Sequence, residues 1–202
     1  MKSNKLIIFI FLIVVIILFG LLGYKVYMDF IRDNSHGKVV DTIGLYGYTL
    51  TKEDTTYYKD AYKELEGVLK SDVIDYEKYA GSLSKLFVID VYTLNNKITC
   101  TDIGGLEFLH PDLRDNFKEN MSGTLYKHIE SNIEGKRNQS LPVVSKVNVD
   151  SVFQTKYEYN KVSYDAYLVT LNWEYEKNDK YQTSIKLTLI KDDKMIYIVK
   201  GE

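Results

Sequence analysis

The stretch from Leu6 to Tyr24 most constrains how this chain can fold, because it contains no charged residue. The hydrocarbon layer of a bilayer is about 30 Å thick, and a helix that crosses it needs about 20 apolar residues. A stretch of this length and composition is typical of a membrane span. We therefore predict a cytoplasmic N-terminus over residues 1–5 and a transmembrane helix over residues 6–28.

The same stretch has one feature of a secretory signal peptide, a basic start, which Lys2 and Lys5 provide. A signal peptide has a shorter apolar core of about 7–15 residues and a small-residue cleavage site. The run here is longer and no alanine pair follows it, so we favour an uncleaved single-pass anchor over a cleaved signal. The short basic flank and the long domain after it indicate a cytoplasmic N-terminus. The C-terminal domain is then predicted outside the cytoplasm at the cell membrane, with the lipid bilayer as the partner of residues 6–28.

The composition narrows the kind of domain that follows. Cys100 is the single cysteine of the chain, so no intrachain disulfide can hold the fold. The net charge of −2 gives no electrostatic reason to expect a nucleic acid as ligand. After a stalk or linker over residues 29–50, residues 51–202 have the length of one domain with its own core. The bias toward Lys, Asn, Ile and Tyr is typical of a bacterial protein from an AT-rich genome.

Apolar residues at helical spacing predict two helices at the start of this domain. Residues 51–54 resemble a capping box with Asp in place of Glu, and a first helix is predicted over residues 53–70. Either Asp72 or Asp75 can cap a second helix. This helix is expected to end near the two asparagines at 95–96, because Asn is a common helix terminator.

The next stretch predicts a short strand, a turn and a third helix. Residues 97–101 are expected to add a small strand, and Gly104 and Gly105 mark a turn that needs unusual backbone angles. Pro111 suits the first turn of a helix. Apolar residues recur at every fourth position after it, which predicts a helix over residues 111–133.

The hydrophobic period then changes to two, which is typical of strands. Four strands are predicted around residues 147–149, 166–175, 185–189 and 195–199. Short polar turns between them favour antiparallel hairpins between consecutive strands. The predicted fold class is therefore α+β, with about three helices packed on one face of a curved, cone-like, four-stranded antiparallel meander.

The order of these elements over residues 51–200 resembles the nuclear transport factor 2-like superfamily, whose sheet wraps into a cone. The resemblance lies in element order and length, and no sequence motif carries it. Single-pass members with an extracytoplasmic domain are similar to the assembly factors of type IV secretion systems and their counterparts in Gram-positive conjugative elements. Other members, such as ketosteroid isomerases and polyketide cyclases, use the interior of the cone as a pocket. The resemblance thus implies either an envelope interaction domain or a pocketed domain.

Asp90 is the candidate site residue. It follows Leu83 by seven positions and Leu86 by four, which places its carboxylate on or beside the core-facing side of the second helix. One hypothesis is a general acid or base inside the cone, because burial disfavours the charged carboxylate and raises its pKa. The other, which we favour, is a structural carboxylate that accepts hydrogen bonds from a buried loop or caps another element.

Other residues with reactive side chains predict no site. His36, His110 and His128 lack the close pairing of zinc ligands, and Cys100 has no histidine near it in sequence. No metal, cofactor or thiol chemistry is therefore predicted. Trp173 is expected to anchor the core. The tyrosines are expected to form a shell around the core, with an exposed recognition surface as the alternative.

Together these features predict a membrane-anchored, extracytoplasmic interaction or scaffold domain of an envelope complex. It is predicted to have no enzymatic activity and to have other envelope proteins as partners. The alternative is a small-ligand-binding or enzymatic domain of the same fold that uses Asp90 in an interior pocket. A deep apolar cavity with Asp90 at its base would favour this alternative, and a filled cone with an exposed apolar patch would favour the scaffold.

Overall fold

A computed structural model describes residue 17 and residues 19–23, 38–177 and 180–202. The chain divides into two compact units, Met1–Lys38 and Val39–Glu202. In the first unit Ile17 and residues 19–23 are helical, and their side chains are exposed. The second unit contains the strands and the other helices described below.

The prediction of a transmembrane helix over residues 6–28 is corrected by the structure. Among the residues that the structure describes, no helix is long and apolar enough to cross a bilayer. Of the predicted span, the structure describes Ile17 and residues 19–23, which are helical. The rest of the predicted span lies outside the described residues. The described elements of the second unit have an α+β fold with a four-stranded antiparallel sheet.

In the second unit, helices precede a four-stranded antiparallel sheet. The α-helices and strands are β1 (Val39–Ile43), β2 (Tyr48–Thr51), α1 (Thr56–Leu69), α2 (Tyr76–Tyr92), α3 (Arg114–Gly123), β3 (Val144–Tyr159), β4 (Val162–Tyr175), β5 (Ser184–Asp192) and β6 (Met195–Gly201). Short 3-10 helices lie at Gly44–Tyr46, Leu106–Phe108 and Pro111–Leu113.

A two-stranded hairpin forms over residues 39–51, most of which lie in the predicted stalk. Strand β1 pairs antiparallel with β2, and the turn between them ends at Gly47, whose φ of 72° suits glycine. Tyr48 is buried, and its hydroxyl shares a 2.5 Å hydrogen bond with the Tyr79 hydroxyl on α2. The compact unit therefore begins at Val39, earlier than predicted, because the hairpin packs its apolar residues against α2.

Helices α1 and α2 form where the hydrophobic spacing predicts them. Thr55 caps α1 by accepting a hydrogen bond from the Tyr58 N–H at 3.1 Å. Asp75, one of the two predicted caps, accepts from the Lys78 N–H at 3.1 Å at the start of α2. Most of α2 is buried, because it packs against both α1 and the sheet.

No strand forms over residues 97–101, where the sequence predicts one. These residues form turns, and the Ile98 N–H donates to the Asp102 carboxylate at 2.9 Å rather than to a neighbouring strand. A short acidic side chain that bonds to nearby backbone competes in this way with regular structure. Cys100 consequently lies half-buried in a turn.

Helix α3 is much shorter than the predicted helix over residues 111–133. It ends at Gly123, and Thr124 then takes φ −123° and ψ −98°, which is not a helical conformation. The apolar repeat continues past this point because Leu125 and Ile129 both pack in a small second core, although they lie outside any helix. The prediction of one long helix was wrong because core-packed residues beyond the helix kept the same spacing.

Strands β3 to β6 pair as consecutive antiparallel hairpins, as predicted. The turn between β3 and β4 consists of Asn160 and Lys161, both with positive φ, which is the geometry of a two-residue type I′ hairpin. Bulges interrupt the register of β3 after Val149 and of the β5–β6 pair after Thr188. A bulge bends its strand and increases the twist.

The main core lies between helices α1 and α2 and one face of the sheet. Trp173 on β4 is only 2% exposed, and its ring centroid lies 4.5 Å from that of Tyr92 on α2. Trp173 is therefore a core anchor, as expected. Several tyrosines are buried with it: Tyr48, Tyr58, Tyr62, Tyr79 and Tyr167.

Candidate functional site

An apolar groove of about 390 Å³ lies between α3 and the last two strands. Its lining side chains come from α2, from the segment around α3 and from the C-terminal end of the chain: Phe87, Val91, Tyr92, Leu109, Leu113, Asn116, Phe117, Asn120, Met121, Gln182, Ile185, Leu187, Ile198, Val199, Lys200, Gly201 and Glu202. Ligand sites in proteins usually have volumes of about 300–1,000 Å³ and mostly apolar linings. The groove is therefore the candidate functional site.

Helix α3 forms one wall because its apolar residues recur one turn apart. Phe117 and Met121 both pack against the main core, and the Phe117 ring lies 5.9 Å from that of Phe87 on α2. At the opposite wall, Gly201 keeps the strand end narrow, since a Cβ there would lie 3.3 Å from Ile185. Apolar side chains from distant parts of the chain thus enclose the groove.

The polar side chains at the groove are paired with each other. The Asn120 amide donates to the Asn116 side-chain oxygen at 2.6 Å. Lys200 and Glu202 form an ion pair, and the Lys200 hydrogen bond holds the pKa of Glu202 below its ordinary value. These two are the charged side chains of the lining described above. The groove is suited to apolar groups and presents no nucleophile with an adjacent base.

Asp90, the candidate predicted from the sequence, does not line the groove. Its carboxylate pairs with the Lys97 ammonium at 2.5 Å and accepts a hydrogen bond from the Gly105 N–H at 2.6 Å. The two side chains are 20% and 7% exposed, respectively. Gly104 approaches the same helix end so closely that a Cβ would lie 2.4 Å from the Asp90 carbonyl oxygen. The carboxylate thus connects the loop after α2 to the end of that helix.

A buried polar network surrounds this ion pair. Burial is the largest single influence and lowers the pKa of Lys97, but the nearby Asp90, Tyr126 and Asp102 together raise it by more, so that the pKa lies above its ordinary value. The Tyr126 hydroxyl donates to the Val91 carbonyl at 2.7 Å and accepts from the Gly104 N–H at 3.2 Å. These partners favour the structural hypothesis for Asp90 over acid–base chemistry.

Arg137 closes the same loop from the other side and was not identified from the sequence. Its guanidinium donates to the Lys97 carbonyl at 2.7 Å and to the Asn95 carbonyl at 2.6 Å. No local pattern marks this arginine, because its acceptors are backbone groups about 40 positions earlier in the chain.

Glu107 is a second partly buried carboxylate that no sequence pattern marks. It accepts hydrogen bonds from the Thr49 N–H at 3.2 Å and from the Thr49 hydroxyl at 2.9 Å, which connects β2 to the helix Leu106–Phe108. Burial raises the pKa of Glu107 to about 7, and the carboxylates of Asp90 and Asp54 also raise it. Its proton can therefore exchange near neutral pH, but its side chain does not line the groove.

The two described histidines and the cysteine do not belong to a metal-binding group. His110 lies at the start of the helix Pro111–Leu113, and its ring centroid is 4.9 Å from that of Tyr159. His128 is exposed, and His36 lies outside the described residues. In the part of the chain that the structure describes, no group of three or more His, Cys, Asp or Glu side chains is placed to hold a metal ion.

The fold and the groove define a small α+β domain with a cleft for apolar groups. Comparisons with protein-family models, with curated proteins and with solved structures find no match to this chain. The resemblance to the nuclear transport factor 2-like superfamily therefore stays a prediction.

Proposed function

We propose that Val39–Glu202 is a non-enzymatic interaction domain whose groove binds apolar side chains of a partner protein. The observation that carries this proposal is the groove, whose lining is mostly apolar and whose charged side chains pair with each other. Burial of apolar side chains in such a groove gives binding energy, and the paired polar rim remains hydrogen-bonded when water leaves. The geometry favours recognition over catalysis.

A small-molecule ligand is the second candidate for the same groove. The volume of about 390 Å³ supports it, because this value lies within the range of ligand sites. The form of this hypothesis that uses Asp90 has less support, since the Asp90 carboxylate is occupied by Lys97 and Gly105 outside the groove. A ligand of the groove would therefore be apolar and would be held without an acidic group from α2.

A tryptophan in the groove is expected to block partner binding. Asn120 is exposed and lines the groove, so Asn120→Trp fills the space without removing a core side chain. We expect recovery of the partner to fall about tenfold, which corresponds to about 1.4 kcal/mol of binding free energy. The measurement is affinity isolation of the full chain from crosslinked native cells, with the bound proteins quantified by mass spectrometry.

The matched control is Glu119→Trp, because Glu119 is exposed on the same helix but does not line the groove. A protein that is recovered equally with Asn120→Trp and with Glu119→Trp is not bound by the groove. If no protein is recovered less with Asn120→Trp than with Glu119→Trp, the proposal is contradicted. A different result is an apolar compound that is extracted from the wild-type chain and from Glu119→Trp but not from Asn120→Trp. The small-molecule ligand then replaces the partner protein as the proposed occupant of the groove.

We also propose a location for the domain, outside the cytoplasm at the cell membrane, with envelope proteins as partners. The support is the uncharged stretch from Leu6 to Tyr24 and the lysines that precede it. Residues 6–28 are then the part of the chain in contact with the lipid bilayer.

The full chain is expected to sediment with membranes and to stay there after an alkaline wash. A chain that begins at Lys38 is expected in the supernatant, because it keeps the compact unit Val39–Glu202 and lacks the apolar stretch. Membrane fractionation followed by immunoblotting makes the comparison. A full chain that the wash releases would contradict the proposed contact with the bilayer.

A further inference from the structure

One edge of the four-stranded sheet is formed by β3, a strand of 16 residues. Side chains close the first part of this edge: the Thr93 hydroxyl accepts from the Val144 N–H at 3.3 Å, and the Tyr57 hydroxyl accepts from the Val147 N–H at 2.7 Å. After the bulge at Val149, the backbone of β3 forms hydrogen bonds with β4 and with no other backbone group of the described residues. The second half of β3 is therefore an open edge.

The turn between β3 and β4 determines which backbone groups point outward. In a two-residue hairpin the residues that flank the turn, here Tyr159 and Val162, exchange both of their hydrogen bonds. Because the direction alternates along a strand, the even-numbered residues between 152 and 158 direct their N–H and C=O groups away from β4. The open edge thus has four outward-facing residues: Val152, Gln154, Lys156 and Glu158.

The side chains of this segment alternate between the two faces of the sheet. A Cβ added to Gly81 on α2 would lie 3.6 Å from the Val152 side chain, so the even-numbered residues lie on the helix side. Phe153 and Tyr157 consequently lie on the opposite face. Phe153 is 65% exposed, which is unusual for an aromatic side chain on a long strand.

We propose that a second copy of this chain pairs with β3, antiparallel, over residues 152–158. The two-fold axis lies at Thr155, so that this residue is opposite its own equivalent in the second copy. Phe153 of each copy is then opposite Tyr157 of the other, and such aromatic cross-strand pairs stabilise antiparallel strands. The pairing joins two four-stranded sheets into one sheet across their β3 edges.

The sequence of this edge favours one register. An axis at Lys156 would place two lysines opposite each other, which is unfavourable, and an axis at Gln154 would pair Phe153 with Thr155. With the axis at Thr155, Lys156 faces Gln154 and no like charges oppose each other. This self-complementary order is the reason to infer a second copy rather than a strand of another protein.

The lysine on this edge does not oppose the pairing. Lysine on an edge strand usually prevents association of strands. Here the Lys156 ammonium pairs with the Asp165 carboxylate on β4 at 2.9 Å, so its charge is balanced within its own chain.

Disulfide formation at Thr155 tests the interface. The test uses full-length Thr155→Cys, with Cys100→Ser to leave one thiol, under mild oxidation in native cells. Directly opposed residues of a non-hydrogen-bonded antiparallel pair have Cα atoms about 4.5 Å apart, within the range of a disulfide. We expect the crosslinked dimer to be at least about tenfold more abundant with Thr155→Cys than with the control Ser151→Cys. Ser151 lies on the same strand and face, but in the proposed dimer it is far from Ser151 of the second copy.

Gln154→Pro provides a second variant that keeps the fold. Proline removes the outward N–H of Gln154 and no bond to β4, so it is tolerated at a strand edge. Added to Thr155→Cys, it is expected to abolish the crosslinked dimer while the thermal unfolding of the chain stays cooperative. A dimer no more abundant than with Ser151→Cys, or a mixed disulfide with a different protein, would overturn the proposal.

Discussion

Lys97→Met is expected to lower the free energy of unfolding by about 3–5 kcal/mol, because it leaves a largely buried carboxylate without its counter-charge. The ammonium of Lys97 lies 2.5 Å from the Asp90 carboxylate, and its side chain is only 7% exposed. After the substitution Asp90 keeps the hydrogen bond from the Gly105 N–H, which compensates only part of the charge. Urea unfolding of the full chain measures the loss.

The double variant Asp90→Asn with Lys97→Met separates the ion pair from the packing. It is expected to recover most of the lost stability, because no unpaired charge remains in the interior. The matched surface control is Lys78→Met, whose partner Asp75 lies 3.4 Å away at an exposed position. This control is expected to cost less than about 1 kcal/mol. A Lys97→Met variant as stable as Lys78→Met would show that the buried pair contributes little.

The position of Asp90 was predictable from the sequence, but its partner was not. The apolar repeat of α2 places Asp90 beside the buried side of the helix, and a cap at Asp75 fixes where the helix begins. Lys97 lies in a turn that was predicted as a strand, where alternation would have directed its side chain to solvent. Local periodicity describes a helix well, whereas the partner of a buried charge depends on how the following loop folds.

The β1–β2 hairpin and the end of α3 illustrate the same limit. Residues 29–50 were predicted as a stalk or linker, but Gly44 and Gly47 lie in the turn of a hairpin that packs in the main core. Leu125 and Ile129, which pack in the small second core, continued the helical spacing beyond the true end of α3. In both cases burial against distant residues, rather than the local pattern, determines the structure.

The groove was not predictable as a site, although most of its wall residues were correctly placed in helices and strands. Phe117 and Met121 were part of the predicted apolar stripe, and such a stripe normally indicates a filled core. The space arises because α3 and the strand end near Gly201 do not close on each other. Residues so far apart in sequence meet only in the folded chain.

The stability of the protein is expected to fall as the pH rises from about 5 to 8, because of Glu107. Burial raises the pKa of Glu107 from 4.5 to about 7 in the folded state. Between these values the folded chain holds a proton that the unfolded chain releases. The contribution of Glu107 is therefore fully present below pH 4.5 and is lost as the pH rises through about 7. A shift of this size corresponds to about 3 kcal/mol, most of it between pH 5 and 8.

Glu107→Gln is expected to remove this part of the pH dependence, since glutamine does not titrate and retains an acceptor for the Thr49 N–H. The measurement is urea unfolding of the wild type and the variant at pH 5 and pH 8. Asp54, whose pKa is also raised by burial, is present in both proteins, so it largely cancels in the difference. The exposed Glu119→Gln is the control and is expected to follow the wild type. Equal pH dependence in Glu107→Gln and the wild type would mean that Glu107 stays ionised in the folded protein, with Thr49 compensating its burial.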